Sequence, residues 1–143
     1  MALEEAAALF EMYGIETGIK LDAMQDFSEF VADVWNQPIP PHNAVTGRTA
    51  FSHCVEVHYV LPKDGQYAFN AWTPNVTGHA EFVPMCHYSG VFAVKRKAQT
   101  LGLGELTTEA AKEVLAHVRK ELRLRRTALS DALFTELVRD AMR

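Results

Sequence analysis

The segment from Phe51 to Tyr59 holds the densest set of chemically active side chains in the sequence. Within six residues it contains two imidazoles, a thiol and a carboxylate, supplied by His53, Cys54, Glu56 and His58. Side chains of these types can exchange protons near neutral pH or bind a metal ion. The segment is therefore the first candidate for an acid–base site or a metal site.

A zinc site is one interpretation of this segment. The four ligands would be Cys54, His58, Cys86 and His87. Cys54 and His58 are four residues apart and would share one face of a helix. Cys86 and His87 are adjacent, which strains a tetrahedral site, and the spacings match no known zinc finger. We expect this chain to hold no metal ion alone, and histidines satisfied by hydrogen bonds in a packed core are an alternative interpretation.

Length, composition and charge limit the class of protein. The chain has 143 residues, 48% hydrophobic and 22% charged, as in one globular domain or a piece of a larger one. The net charge is −4, so the chain lacks the excess of positive charge that is typical of nucleic-acid-binding proteins. No apolar run approaches the roughly 18 residues that cross a bilayer, and the start has no basic signal region. Two cysteines without Cys-x-x-Cys spacing indicate free thiols, so we expect a cytoplasmic protein that binds neither nucleic acid nor membrane.

The first 36 residues predict two helices. Good helix formers run from Ala2 to Phe10, and Tyr13-Gly14 provides a glycine C-cap. Asp22 and Gln25 have the spacing of a capping box that opens a second, amphipathic helix. The first helix has a broad apolar face without an obvious mate in so short a chain, made of Leu3, Ala6, Ala7, Phe10 and Tyr13. Such a face indicates an interface, so we expect a hetero-oligomer or a homodimer and not a lone monomer.

The remaining sequence changes character at its prolines. Three prolines within residues 37–41 stop the second helix, and the periodicity of residues 42–88 is poor. There we expect short helical turns and irregular connections, with a short strand near residues 56–61. Residues 89–143 predict a compact unit of three helices, with Thr107 and Ser130 as N-caps. Positive charge is concentrated in this last part. A solvated helix face explains it, and a phosphate-bearing ligand such as coenzyme A, or an acidic partner surface, is the alternative.

Several motifs in one order resemble the 2-isopropylmalate and homocitrate synthase family, the DRE-TIM metallolyases. The motifs are Leu3-Glu4-Glu5, Tyr13-Gly14-Ile15-Glu16-Thr17-Gly18-Ile19, Ile39-Pro40-Pro41-His42-Asn43-Ala44-Val45-Thr46-Gly47, Ala50-Phe51-Ser52-His53, His58 and Ser89-Gly90. The family typically reads G-N-x-x-L-E-E, Y-G-I-D-T-G-I, I-P-x-P-P-x-K-x-V-x-G, A-F-x-H-E-S-G-I-H and H-S-G at these places. The resemblance covers nearly the whole chain and corresponds to the C-terminal region of the family.

This resemblance implies a mainly α-helical chain without the family's catalytic barrel. In such synthases a (β/α)8 barrel binds a divalent metal, and every metal ligand of the family would lie before Met1 of this sequence. Residues 1–36 would be the last barrel helix and a linker helix, residues 37–88 an irregular lid subdomain, and residues 89–143 a C-terminal three-helix subdomain.

The resemblance also implies a split synthase. A separate TIM-barrel subunit would hold the metal, and this small subunit would complete and cover its active site for the Claisen condensation of acetyl-CoA with a 2-oxo acid. The small subunit would then be part of an acyltransferase and inactive alone. The alternatives are a non-catalytic structural or regulatory partner of such a barrel and an unrelated binding module.

The resemblance further implies which side chains act in catalysis. His58 aligns with the family's lid histidine, and a neutral imidazole there could polarise the thioester carbonyl or relay a proton. The position of the lid tyrosine holds Phe69, which has no hydroxyl, so Tyr67 is the nearest substitute. Glu56 adds a carboxylate that could pair with His53 or His58. The candidate catalytic residues are therefore His58, Tyr67, Glu56 and His53.

Overall fold

The computed structural model describes residues 2–55, 58 and 73–142, and this part of the chain is helical. Its α-helices are α1 (Leu3–Met12), α2 (Met24–Trp35), α3 (Val91–Thr100), α4 (Thr108–Arg125) and α5 (Asp131–Ala141). Short 3-10 helices cover Leu21–Ala23 and Pro74–Thr77. The described residues contain no strand, which confirms the mainly α-helical fold class.

Two further sequence predictions concern a strand and membrane-spanning segments. Apart from His58, the strand predicted near residues 56–61 lies outside the described residues. The helices that are described include none both long and apolar enough to cross a membrane.

The chain divides into two compact units. Among the described residues, 2–51 and 73–81 form the first unit, and 52–55, 58 and 82–142 form the second. The division predicted from the sequence, into residues 1–36, 37–88 and 89–143, stays a prediction.

The second unit is built around three helices, with α4 packed against both α3 and α5. The predicted apolar stripes of these helices meet in one core. Its buried members are Val83, Met85, Ala93, Val94, Ala98, Leu106, Ala111, Val114, Leu115, Val118, Leu122, Leu129, Phe134 and Val138. Side chains at helical spacing are on one face, so three such faces can exclude water together.

Local signals set the ends of α4 and α5. The hydroxyl of Thr107 accepts a hydrogen bond from the amide of Ala110 at 3.1 Å, and the hydroxyl of Ser130 accepts one from Leu133 at 3.3 Å. Each bond satisfies an amide that has no partner inside its own helix. Both predicted N-caps are confirmed.

The first unit contains α1 and α2, and here the predicted capping box is wrong. Asp22 is inside the 3-10 helix Leu21–Ala23, which continues directly into α2, so it does not precede the helix as a cap must. The N-cap of α2 is Ala23, without a side-chain hydrogen bond. The side-chain amide of Gln25 donates instead to Glu29, one turn along, at 2.7 Å.

The irregular segment after α2 is held by non-local hydrogen bonds. Asn43 donates from its side chain to Glu4 of α1 at 3.0 Å, and its carbonyl accepts from the amide of Gly47 at 3.1 Å. A Cβ atom at Gly47 would collide with the backbone of Asn43. The buried ring of His79 lies with Nε2 at 2.8 Å from the Gly47 carbonyl and packs edge-on against Phe51. His79 is therefore a hydrogen-bonded core histidine.

Candidate functional site

The second unit brings together histidine and cysteine side chains from two parts of the sequence. His53, Cys54 and His58 come from the segment before the undescribed residues, and Cys86 and Ser89 come from the turn before α3. We call these five residues the His/Cys cluster. Ser89 is fully buried, and the other four are half-buried. The cluster is therefore anchored by Ser89 and partly accessible to solvent.

The two imidazoles of the cluster contact each other directly. Nδ1 of His53 and Nδ1 of His58 are 3.2 Å apart, and the ring planes are nearly perpendicular, at 85°. For a hydrogen bond, one Nδ1 must carry a proton and the other must offer its lone pair. The accepting ring, when neutral, then carries its own proton on Nε2. The pair can thus hold one proton between the two Nδ1 atoms, and when one ring is doubly protonated this proton can pass to the other ring.

The thiols of the cluster lie beside this pair. The Sγ atom of Cys86 is 3.9 Å from the carbonyl oxygen of Cys54, and both cysteines are free. Burial raises the pKa of the Cys54 thiol to about 11, and its hydrogen bond and charge interaction with Cys86 add to the rise. Cys54 is therefore protonated, and a weak nucleophile, at neutral pH.

Ser89 fixes the turn that carries Cys86. Its hydroxyl accepts a hydrogen bond from the amide of Cys86 at 3.0 Å and lies 3.5 Å from the carbonyl oxygen of Cys54. A side chain of α4, Arg119, donates to the carbonyl of Ser89 at 3.4 Å. The cluster is thus held by the turn before α3 and by α4.

The first unit has a different feature, an apolar groove along α2. A cavity of about 630 Å³ lies between α2, the start of α1 and the segment after α2. We call it the α2 groove, and its main apolar lining residues are Leu3, Met24, Phe27, Val31, Trp35 and Ile39. Trp35 is 71% exposed, and Phe30, on the same helix, is 63% exposed. Large apolar side chains left in water together are typical of an interface.

Comparison with known proteins places the chain in a family. No protein-family model matches it. It is 30% identical to the homocitrate synthase AksA of Methanopyrus kandleri, over 99% of this chain and 35% of that protein. It is 32% identical to 2-isopropylmalate synthase 2 of Caldanaerobacter subterraneus subsp. tengcongensis, over 83% of this chain and 31% of that protein. The (R)-citramalate synthase CimA of Methanocaldococcus jannaschii is 28% identical over 97% of this chain and 28% of its own length.

The chain belongs to the homocitrate and 2-isopropylmalate synthase family. It spans about a third of the length of the curated relatives that it matches. The matches confirm the family resemblance, and their partial coverage is consistent with the C-terminal region that the motifs predict.

The candidate catalytic residues of this synthase-family chain fall into two groups. The structure brings His53 and His58 together. Glu56 and Tyr67 lie outside the described residues, as does Phe69 at the position of the lid tyrosine, so the contribution of Glu56 and Tyr67 stays a prediction.

A metal site would need at least three suitable ligands in one place. Within residues 2–55, 58 and 73–142, no three His, Cys, Asp or Glu side chains are grouped so that they could hold a metal ion. The described residues therefore do not fit the divalent metal of the synthase family. No catalytic step of this chain is assigned to one.

The sequence analysis named Ser89 only as part of the Ser89-Gly90 motif, and it did not predict that Ser89 joins the His/Cys cluster or that Arg119 supports it. The signal for Ser89 is local, because a serine three residues after Cys86 can close a turn with its hydroxyl. Arg119 has no such signal, since it reaches the cluster only through the packing of α4. The sequence predicted Arg119 as part of a solvated or ligand-binding charge cluster.

Proposed function

We propose that the chain is the small subunit of a split acyltransferase of the homocitrate and 2-isopropylmalate synthase family. A separate TIM-barrel subunit would carry the divalent metal, and this chain would complete and cover the active site. The reaction would be the Claisen condensation of acetyl-CoA with a 2-oxo acid. The observation that carries the proposal is that 99% of this chain matches only 35% of a homocitrate synthase. The described residues also contain no barrel strand and no group of metal ligands, which supports a second polypeptide.

The exposed surface of α2 supports a partner. Phe27 and Trp35, which both line the α2 groove, leave more than half of their area in water, and burial of apolar surface is worth about 25 cal/mol per Å². A partner that covers this apolar surface removes it from water and so stabilises the complex. The α2 groove is therefore the proposed docking surface for the barrel subunit.

The histidine pair supports a part in the chemistry. The condensation needs a proton to leave the methyl group of acetyl-CoA, and the new alkoxide must then take up a proton. The metal of the barrel subunit, when bound, polarises the oxo acid. We assign to His58 the polarisation of the thioester carbonyl or the relay of a proton, and His53 positions His58 through the Nδ1 contact. Glu56 and Tyr67 are proposed to assist them.

A second candidate function is a structural partner that stabilises the barrel without touching the chemistry. The contact between the imidazoles favours it, because that contact uses one nitrogen of each ring inside the chain. The two functions differ in what a histidine substitution does to the assembled enzyme.

The test is to mix the purified chain with a TIM-barrel synthase subunit from the same genome and to measure release of coenzyme A with a series of 2-oxo acids. We expect activity only in the mixture, and a loss of about 10²- to 10⁴-fold for His58→Ala, the range typical of general acid–base groups. His117→Ala is the matched control, since His117 is exposed on α4.

Each result separates the candidates. If the mixture is active and His58→Ala leaves that activity unchanged, the result supports the structural partner and contradicts the catalytic assignment. Inactivity with every barrel subunit contradicts both functions. Recovery of this sequence from its source only within a longer polypeptide that carries its own barrel contradicts the split.

A further inference from the structure

The two cysteines of the cluster carry a further inference. We propose that Cys54 and Cys86 form a redox-active pair that low-molecular-weight disulfides convert reversibly to an intramolecular disulfide. The pair is a modification site that lies outside the proposed condensation chemistry. Its reaction needs this chain alone.

The first support is proximity across a long stretch of sequence. Cys54 and Cys86 are 32 residues apart, yet Cys86 Sγ lies 3.9 Å from the Cys54 carbonyl oxygen, and Cys86 is near enough to add to the rise in the pKa of the Cys54 thiol. A disulfide needs sulfur atoms about 2.05 Å apart, so its formation requires the two side chains to turn toward each other. The chain contains no other cysteine, so no third thiol competes.

The second support is that the pair is accessible on one side and fixed on the other. Both cysteines are half-buried, so a small disulfide can reach them. Ser89 holds the Cys86 amide at 3.0 Å and lies 3.7 Å from its sulfur, so the turn presents Cys86 in one orientation. A partly exposed thiol beside a second thiol that can resolve a mixed disulfide is the arrangement of reversible redox pairs.

The exchange balances with one oxidant molecule, written R–S–S–R. The Cys86 thiolate attacks one sulfur of the oxidant and releases the first thiolate, RS⁻, which takes up a proton. Cys54 then gives up its proton and attacks the Cys86 sulfur of the mixed disulfide, which releases the second RS⁻. The protein loses two electrons and two protons, and the oxidant becomes two RSH. Burial raises the pKa of the Cys54 thiol to about 11, so its thiolate is scarce at neutral pH, and we assign Cys54 the second, intramolecular attack.

The bond would act on the histidine pair through the backbone. Cys54 directly follows His53, so a link from Cys54 to Cys86 ties the His53 segment to the turn before α3. Restricting this segment would fix the contact between His53 and His58. This consequence for catalysis rests on the proposed function, whereas the thiol chemistry does not.

The test uses the full chain without any barrel subunit. The reduced protein is equilibrated with glutathione disulfide, and its free thiols, intact mass and linked peptides are measured. We expect the two free thiols per chain to fall to zero, the mass to fall by two hydrogens, and one linked peptide to join Cys54 to Cys86. A dithiol reductant should restore both thiols.

Single substitutions provide the controls. Cys54→Ser and Cys86→Ser each leave one thiol, so each variant should gain one glutathione and form no intramolecular link. Circular dichroism checks that both variants remain helical. Wild-type protein that gains two glutathiones, forms disulfide-linked dimers or keeps both thiols overturns the proposal. Since no condensation activity is measured, failure here is separate from failure of the proposed function.

Discussion

The two units treat apolar side chains in opposite ways. In the second unit, three helices cover one another, and Phe134 is completely buried. In the first unit, α2 has an equally regular apolar stripe, yet Phe30 is 63% exposed and Trp35 is 71% exposed. The difference teaches that a helical stripe specifies a face to be covered, whereas the rest of the chain decides whether a cover is present. The first unit is consistent with a surface made for another polypeptide.

The largest expected effect compares one phenylalanine from each unit. Phe134→Ala should lower the free energy of unfolding by about 3–5 kcal/mol, because it leaves a cavity in a closed core. Phe30→Ala should change it by less than about 0.5 kcal/mol, because the ring is already in water. Urea denaturation of the isolated chain measures both. Equal losses in the two variants would mean that the first unit also has a complete core, and the comparison would fail.

An ion pair between a buried lysine and a partly exposed aspartate provides the next effect. The ammonium of Lys97, on α3, is 2.5 Å from Asp131 at the start of α5 and donates to the carbonyl of Val83 at 2.9 Å. The side chain of Lys97 is 3% exposed and that of Asp131 is 41% exposed. Removing the carboxylate leaves a buried charge without its counterion, whereas removing the ammonium leaves a carboxylate that water can reach.

We therefore expect Asp131→Ala to destabilise the chain by about 3 kcal/mol and Lys97→Met to destabilise it by less. The corresponding link in the first unit is the bond from Asn43 to Glu4, and Glu4→Ala should cost only about 1 kcal/mol. Thermal denaturation of the three variants checks the order. A cost for Lys97→Met above that for Asp131→Ala would contradict the assigned burial.

Binding of the barrel subunit should depend on exposed apolar side chains of the first unit and not on those of the second. Trp35→Ala should weaken the association by about 2 kcal/mol, roughly 30-fold, because aromatic anchors dominate most interfaces. Leu124→Ala is the control, since Leu124 is 70% exposed on α4 of the second unit. Titration calorimetry with the barrel subunit measures both. A larger effect of Leu124→Ala would place the interface on the second unit.

Local sequence signals account for most of what could be predicted. The helices α3, α4 and α5 follow from apolar periodicity, and Thr107 and Ser130 cap α4 and α5 through bonds three residues away. The capping box at Asp22 failed because the same residues also suit a 3-10 turn, and only the packing of the unit decides between the two.

Non-local contacts account for the features that could not be predicted from the sequence. The bond between His79 and Gly47 joins residues 32 apart, and so does the approach of Cys86 to Cys54. Nothing in the local sequence of either partner indicates the other. The family resemblance selected His58, but the contact of His58 with His53 through Nδ1 depends on how the backbone turns between them.

The smallest expected effect is the dependence of stability on alkaline pH, which belongs to the second unit alone. Burial raises the pKa of the Cys54 thiol in the folded chain from 9.0 to about 11. Between these values the unfolded chain loses the thiol proton and the folded chain keeps it. The folded state then binds more protons, so the free energy of unfolding falls as the pH rises from 9.0 to about 11. Below 9.0 both states are protonated and the thiol adds no pH dependence.

Urea denaturation under reducing conditions, with Cys54→Ser as the reference, isolates this contribution, because lysines and tyrosines titrate in both proteins alike. We expect wild-type stability to fall relative to Cys54→Ser across that pH window and to stay parallel to it at lower pH. Cys86→Ser should narrow the window, since it removes the hydrogen bond and the charge interaction that add to the shift. If the stability curves of wild type and Cys54→Ser stay parallel over the whole pH range, the Cys54 thiol is solvated. The second unit would then be less closed around the His/Cys cluster than the contrast between the two units implies.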